Sequence, residues 1–144
     1  MQSTKIVILL VEDDNGDIEL IRTAMSEVQF IADLEVVRDG MQALSYLYRH
    51  PPYTNAPRPD LILLDLNMPR MNGKTVLRQI KTDENLKVTP VVILSTSESN
   101  GDIVDTYKAG ASCYITKPSG YQGFIEILSI IKEFWFTVVK LPPK

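Results

Sequence analysis

A chain of 144 residues, 44% hydrophobic and 23% charged, is long enough to form one globular domain with a substantial core. A formal net charge of −3 gives no electrostatic case for binding nucleic acid, and a single cysteine, Cys113, excludes an internal disulfide framework and points to a reducing compartment. The opening MQSTK leads into an apolar run too short for a signal peptide or a membrane span, so a cytoplasmic protein with no membrane and no nucleic-acid partner is expected.

The first apolar run, Ile6–Val11, lacks alternation, which fits a strand covered on both faces. It ends in Glu12, Asp13 and Asp14, with Asp17 just beyond. Two like charges about 4 Å apart cost on the order of 4 kcal/mol at an effective dielectric near 20, so these acids need a cation or separate tasks. Residues Asp17–Val28 place Ile18, Ile21, Met25 and Val28 at helical spacing. Asp14 is expected to cap that helix and Asp17 to meet its dipole in the first turn.

A second run, Leu34–Arg38, ends at Arg38-Asp39-Gly40 and leads to a helical pattern over Ala43–Tyr48. His50 reads as an exposed residue at that helix end. The stretch HPPYTNAPRP, residues 50–59, is expected to be a stiff surface connection rather than a polyproline ligand. The third run, Leu61–Asp65, carries Asp65 and Asn67 at its end, and Asn72-Gly73 punctuates the start of a helix through Val76–Ile80. A fourth run, Val91–Ser95, ends in Ser95-Thr96 and precedes a helix over Ile103–Ala109 that Gly110 closes. The fifth, Cys113–Thr116, ends at Lys117-Pro118, with Cys113 a small buried hydrophobe.

Five repeats of strand then helix argue for an α/β fold, a doubly wound parallel sheet with helices on both faces and right-handed crossovers. In such sheets ligands bind beyond the C-terminal strand ends, and four of the five ends here carry groups suited to a metal and a phosphoryl group. Asp65 alone reads equally well as a residue that caps or turns the chain. Beside the acids of the first strand end, it forms a cluster of carboxylates that needs a hard cation such as Mg²⁺. Lys117 reads either as a solvated or fold-stabilising charge, or as a fixed cation beside the cluster. Ser95 reads as a hydroxyl donor or as a cap for the next helix. Together these groups suit phosphoryl transfer to Asp65, with Lys117 and Ser95 on the equatorial oxygens.

The segments VEDD, DLNMPRMNG, ST and YITKP, in this order and spacing, resemble the receiver domain of two-component response regulators. The resemblance spans nearly the whole chain. It implies a flavodoxin-like fold with strand order 2-1-3-4-5. It implies Asp65 as the phosphoacceptor, Asp13 as direct metal ligand, Glu12 as a ligand through water, and the Asn67 backbone carbonyl as a third ligand. Mg²⁺ is the implied cofactor, with Mn²⁺ expected to substitute. Ser95 matches the switch hydroxyl, Lys117 the phosphoryl-binding lysine, and Tyr114 an aromatic switch expected to turn inward, where core filling is the alternative. The resemblance also implies a cis Lys117–Pro118 peptide, against the base rate for X–Pro bonds. Asn15, Gly16, Met68 and Thr96 lie near the mouth and are expected to tune access of water to a phosphorylated Asp65.

The last helix carries Phe124, Ile127, Leu128, Ile131, Phe134, Trp135 and Val138 at spacings of three and four, a core-facing stripe. Ile125, Ile130, Phe136, Val139 and Leu141 fall outside it. A tail apolar on more than one face either folds back or forms a homodimer through the last helix and residues 134–144. The FW then LP ending, with the proline-containing connection before the third strand, resembles the stand-alone regulators of cyanobacterial-type phytochrome histidine kinases. The expectation is therefore a single receiver domain over residues 1–144 that takes its phosphoryl group from a histidine kinase of phytochrome type. It would signal by protein contact or onward phosphotransfer.

Three rivals are weaker. A Mg²⁺-dependent aspartyl phosphohydrolase would place its nucleophile on the first strand and carry a cap. A flavodoxin-like electron carrier would need a phosphate-binding loop where this chain has acids. A pseudo-receiver acting only as an interaction module would not be expected to keep the acids, Ser95 and Lys117 intact.

Overall fold

The structure is a computed structural model that describes residues 5–144. Five strands and five helices alternate: β1 (Val7–Val11), α1 (Asn15–Glu27), β2 (Asp33–Val37), α2 (Gly40–Leu47), β3 (Leu61–Leu64), α3 (Gly73–Thr82), β4 (Val91–Ser95), α4 (Asn100–Lys108), β5 (Cys113–Thr116) and α5 (Tyr121–Glu133). A π-helical turn, Phe134–Val138, continues α5. All strand pairs are parallel, in the order β2-β1-β3-β4-β5 that the resemblance implies.

The sheet divides the core by strand parity, because successive side chains point to opposite faces. Leu9, Val11, Ile62, Leu64, Val91 and Ile93 face α2 and α3, meeting Ala43, Tyr46, Val76, Leu77 and Ile80. Ile8, Leu10, Leu61, Leu63, Val92 and Leu94 face α1 and α5, meeting Ile18, Ile21, Met25, Phe124, Leu128 and Ile131. Each fully buried side chain of this size contributes about 1.5–3 kcal/mol. Every residue of β1, β3 and β4 is buried, as unbroken apolar runs require. The edge strands differ: β2 and β5 are mostly half-buried.

The first four helices start two or three residues before their periodic apolar stretches. Asp14, Asp39, Asn72 and Ser99 are the N-caps of α1, α2, α3 and α4, and each side chain accepts from the backbone N–H three residues on. Such a cap contributes about 1 kcal/mol. Ser95 therefore caps no helix. Gly110, at φ 107°, follows the end of α4 in the left-handed region that favours glycine. Gly73 opens α3 so close to the end of β3 that a Cβ there would lie 2.3 Å from the Asp65 carbonyl oxygen. This close approach fixes the loop that carries Asp65 and Asn67. α4 is the least embedded helix, with Thr106 its one buried residue and Val104 and Tyr107 exposed.

The tail departs from the single stripe that spacing suggests. Phe124, Leu128 and Ile131 are buried as expected, but Phe134 and Val138 are exposed. The π turn adds a residue to the local repeat and rotates the face. Trp135 and Phe136 pack on the α1/α5 core instead, with Phe136 5.3 Å from the Phe30 ring. Beyond it the chain folds back: Lys144 Nζ lies 3.1 Å from Asp60 Oδ2, whose carboxylate also accepts from Val7 N–H at 2.8 Å. Among the described residues no helix is long and apolar enough to cross a membrane.

Candidate functional site

Backbone pairing beyond the strands brings the acids together. Glu12 N–H donates to Val37 O at 3.0 Å and Asp65 N–H to Val11 O at 3.1 Å, so the ends of β1 and β3 remain in register. Carboxylate oxygens of Glu12, Asp13 and Asp65 then lie within 4.8 Å of one another. Glu12 and Asp65 are buried, and Asp13 is exposed. An all-oxygen set with one open side fits a small hard cation that keeps some of its water, as Mg²⁺ and Mn²⁺ do. A Glu12 oxygen also accepts from Asp14 N–H at 3.2 Å, and Asp65 Oδ1 weakly from Asn67 N–H at 3.4 Å.

Lys117 follows β5, and its N–H donates to Ser95 O at 2.8 Å, which ties it to the end of β4. Its ammonium is 2.5 Å from Glu12, 2.8 Å from Asp17 and 3.6 Å from Asp65. One buried cation thus faces three carboxylates. Burial pushes the Glu12 carboxyl up to about 7 against the pull of Lys117, with the Asp65 charge adding to the rise. Burial likewise raises Asp65, opposed by Lys117. For Lys117 burial acts to lower the pKa, but the bonds to Asp17 and Glu12 outweigh it and the ammonium is held more firmly than usual.

A folded-state pKa raised above that of the unfolded chain makes Glu12 stabilising while protonated. Its contribution is therefore lost as pH rises from the ordinary carboxylate range through about 7. In chelator, wild-type unfolding free energy is expected to fall between pH 5.5 and 8.5, and Glu12→Gln to remove roughly 2 kcal/mol of that fall. Parallel urea titrations of the two proteins at both pH values check this, and equal slopes would count against it.

The remaining predicted residues separate into near and far. Ser95 is fully buried at the end of β4, and its Oγ accepts from Ser97 N–H at 3.2 Å. Tyr114 lies in β5 with its ring against the α2/α3 core and its hydroxyl donating to Ser97 O at 2.7 Å. The side chain is half-buried. Asn15 at the mouth accepts a hydrogen bond from the Arg38 guanidinium. Met68 is half-buried against the α2/α3 core. His50 stacks on Tyr48 at 5.9 Å, away from these groups. The cis peptide implied for Lys117–Pro118 is absent; among the described residues the cis bond is Pro51–Pro52. A trans bond is the common X–Pro state, and here the Pro118 ring packs directly on Gly123 in the first turn of α5.

Sequence reasoning missed two partners. Asp17, read only as a first-turn acid, reaches Lys117 across a hundred residues of sequence. Ser97 joins Tyr114 to α4 and α3: its Oγ is 2.5 Å from Asp102, which pairs with Lys74 at 2.5 Å. The capping pattern Ser99 to Asp102 was a local signal for the α4 start, but nothing local marks Lys74 as its partner.

The family model of the response regulator receiver domain matches residues 8–129. Response regulator Rcp1 of Synechocystis sp. is 39% identical over 136 residues, covering 94% of this chain and 92% of Rcp1. The crystal structure of its Mn²⁺-bound form superposes with a TM-score of 0.89 at 38% identity, over 96% of this chain and 99% of that one. The phosphorylated cyanobacterial phytochrome response regulator RcpA superposes with a TM-score of 0.92 at 44% identity, over 97% of this chain and all of that one. A probable methanogenesis regulatory protein, FilR2 of Methanothrix harundinacea, is also 39% identical, over 90% of this chain and 83% of its own.

Proposed function

The chain belongs to the response regulator receiver domain family, and on that premise we propose that it accepts a phosphoryl group on Asp65 from a histidine kinase of phytochrome type and signals by conformational change. The observation that carries the reading is the meeting of Asp65, the Glu12–Asp13 pair and the Lys117 ammonium beyond the C-terminal ends of β1, β3 and β5. The phytochrome partner rests on the likeness to Rcp1 and RcpA.

In the transfer, an Asp65 carboxylate oxygen attacks phosphorus. The bond to the kinase imidazole nitrogen breaks, and its electron pair leaves with the ring. Lys117 carries positive charge to the developing equatorial oxygens, and Ser95 Oγ–H donates to one of them. Glu12, Asp13 and Asp65, with the Asn67 carbonyl, would hold Mg²⁺, which supplies charge neutralisation for the phosphoryl oxygens. Once Lys117 and Ser95 engage the phosphoryl group, the Ser97–Tyr114 bond and the Lys74–Asp102 pair lie directly along β4 and α4. Phosphorylation then biases two pre-existing arrangements of that face.

The test is transfer of labelled phosphoryl from an autophosphorylated phytochrome kinase to this protein with Mg²⁺. Label is expected on the protein with Mg²⁺, to be absent when chelator is present from the start and to appear once Mg²⁺ is added in excess. No transfer under any of these conditions would overturn the reading.

A homodimer is proposed for the tail. Ile130, Phe134 and Val138, four residues apart, are all exposed, with Val104 and Tyr107 of α4 exposed as well. Aromatic and aliphatic groups without charge suit an interface core. Phe134→Ser with Val138→Ser is expected to weaken self-association about tenfold or more. Sedimentation equilibrium checks it, and an unchanged association constant would exclude this face.

A further inference from the structure

Three carboxylates share one ammonium, and two of them, Glu12 and Asp65, belong to the acid cluster that fits a divalent cation. An ammonium lodged between those two competes with the cation, since both draw on the same two carboxylates. The third carboxylate stands apart from the cluster. Asp17 comes from the first turn of α1, where Asp14 Oδ1 accepts its N–H at 3.1 Å and fixes its position. Its side chain is 24% exposed, against 1% for Glu12, so it stays hydrated while pairing. Lys117 keeps its shortest contact with Glu12, at 2.5 Å, but sits 0.8 Å closer to Asp17 than to Asp65 (2.8 Å against 3.6 Å).

We infer that Asp17 is a positioning residue that draws the Lys117 ammonium toward α1, off Asp65, and so raises the affinity of the site for a divalent cation. The inference rests on the metal reading of the acid cluster proposed above. Without Asp17, Lys117 settles on Glu12 and Asp65 alone, and an incoming cation must displace it from both. With Asp17 in place, the ammonium keeps a partner while the other two acids turn to the cation.

Mg²⁺ titrations followed by calorimetry at pH 8 test this. Asp17→Asn is expected to weaken Mg²⁺ binding about fivefold, the upper end of what a partly exposed charge pair commands. Asp17→Glu should restore most of the loss. Asp14→Asn removes a charge from the same turn, keeps a capping side chain and touches no lysine, so it should leave the affinity within about twofold. The decisive comparison is made in a Lys117→Met background, where Asp17→Asn should have almost no further effect because the residue acts through the lysine. Circular dichroism establishes that each variant is folded. An affinity unchanged in Asp17→Asn, or an equal loss with and without Lys117, would overturn the inference. A wild-type protein that binds no Mg²⁺ would instead remove the metal reading, and this inference with it.

Discussion

Replacing Asp65 with Asn is expected to lower phosphoryl transfer by at least about a thousandfold while leaving the fold intact or slightly more stable. The amide has nearly the same shape and keeps an oxygen to accept from Asn67 N–H. It has no carboxylate electron pair to attack phosphorus. Structurally it removes one of the negative charges that crowd Glu12, and the Asp65 charge is among the causes of the Glu12 shift. The variant should therefore match or exceed wild-type stability in chelator, by about 1 kcal/mol or less. Kinase phosphotransfer and urea unfolding, run on the same preparation, separate chemistry from folding. Label that persists on the Asn variant would mean the acceptor lies elsewhere.

Lys117→Met should produce the largest stability loss of any single change at this site. Its ammonium is buried and is shared by Glu12, Asp17 and Asp65. Removing one partner of a buried pair costs about 3–5 kcal/mol, because Glu12 and Asp65 are left behind neither hydrated nor paired. The loss has an outlet. Glu12 already holds its proton up to about 7, and without Lys117 it holds it higher still, since that lysine is what lowers it. The variant is expected to be weakest above pH 8 and to regain stability as the pH falls toward 5.5. Millimolar Mg²⁺ should do the same at high pH by binding the folded state alone. Denaturant midpoints across pH, with and without Mg²⁺, check both arms. A loss that is independent of pH and metal would mean that Lys117 acts only by filling space.

Much of this arrangement is readable from local sequence because its causes are local. Leu61–Leu64 must be a buried strand, since four consecutive apolar residues have no polar face to offer solvent. Asp65 then falls at a strand end by simple succession. Asp14 and Asn72 announce helix starts through a hydrogen bond to a backbone three residues away. The Asp17–Lys117 pair has no such local cause. It depends on which strands become neighbours and on the direction taken by a long, flexible side chain. The tail is hidden for a different reason. Where nearly every residue is apolar, spacing cannot say which face is buried, so the rotation made by the π turn at Phe134 leaves no trace in the pattern. Tyr114 combines both limits: its place in β5 is plain, but the direction of its ring is settled by Ser97, in the β4–α4 loop.

The shallow seating of α4 bears on how little energy a signal needs. Helices α1 and α3 each bury four residues and α5 three, whereas α4 buries Thr106 alone and is tied to α3 by ion pairs from Lys74 to Asp102 and Asp105. Its local opening free energy must therefore lie well below that of the whole domain, and its backbone amides should exchange with solvent before those of α1 or α5. An event worth one or two kcal/mol at Ser95 would leave the sheet untouched and still repopulate this helix. The chain can thus be rigid around the acid cluster and compliant at α4.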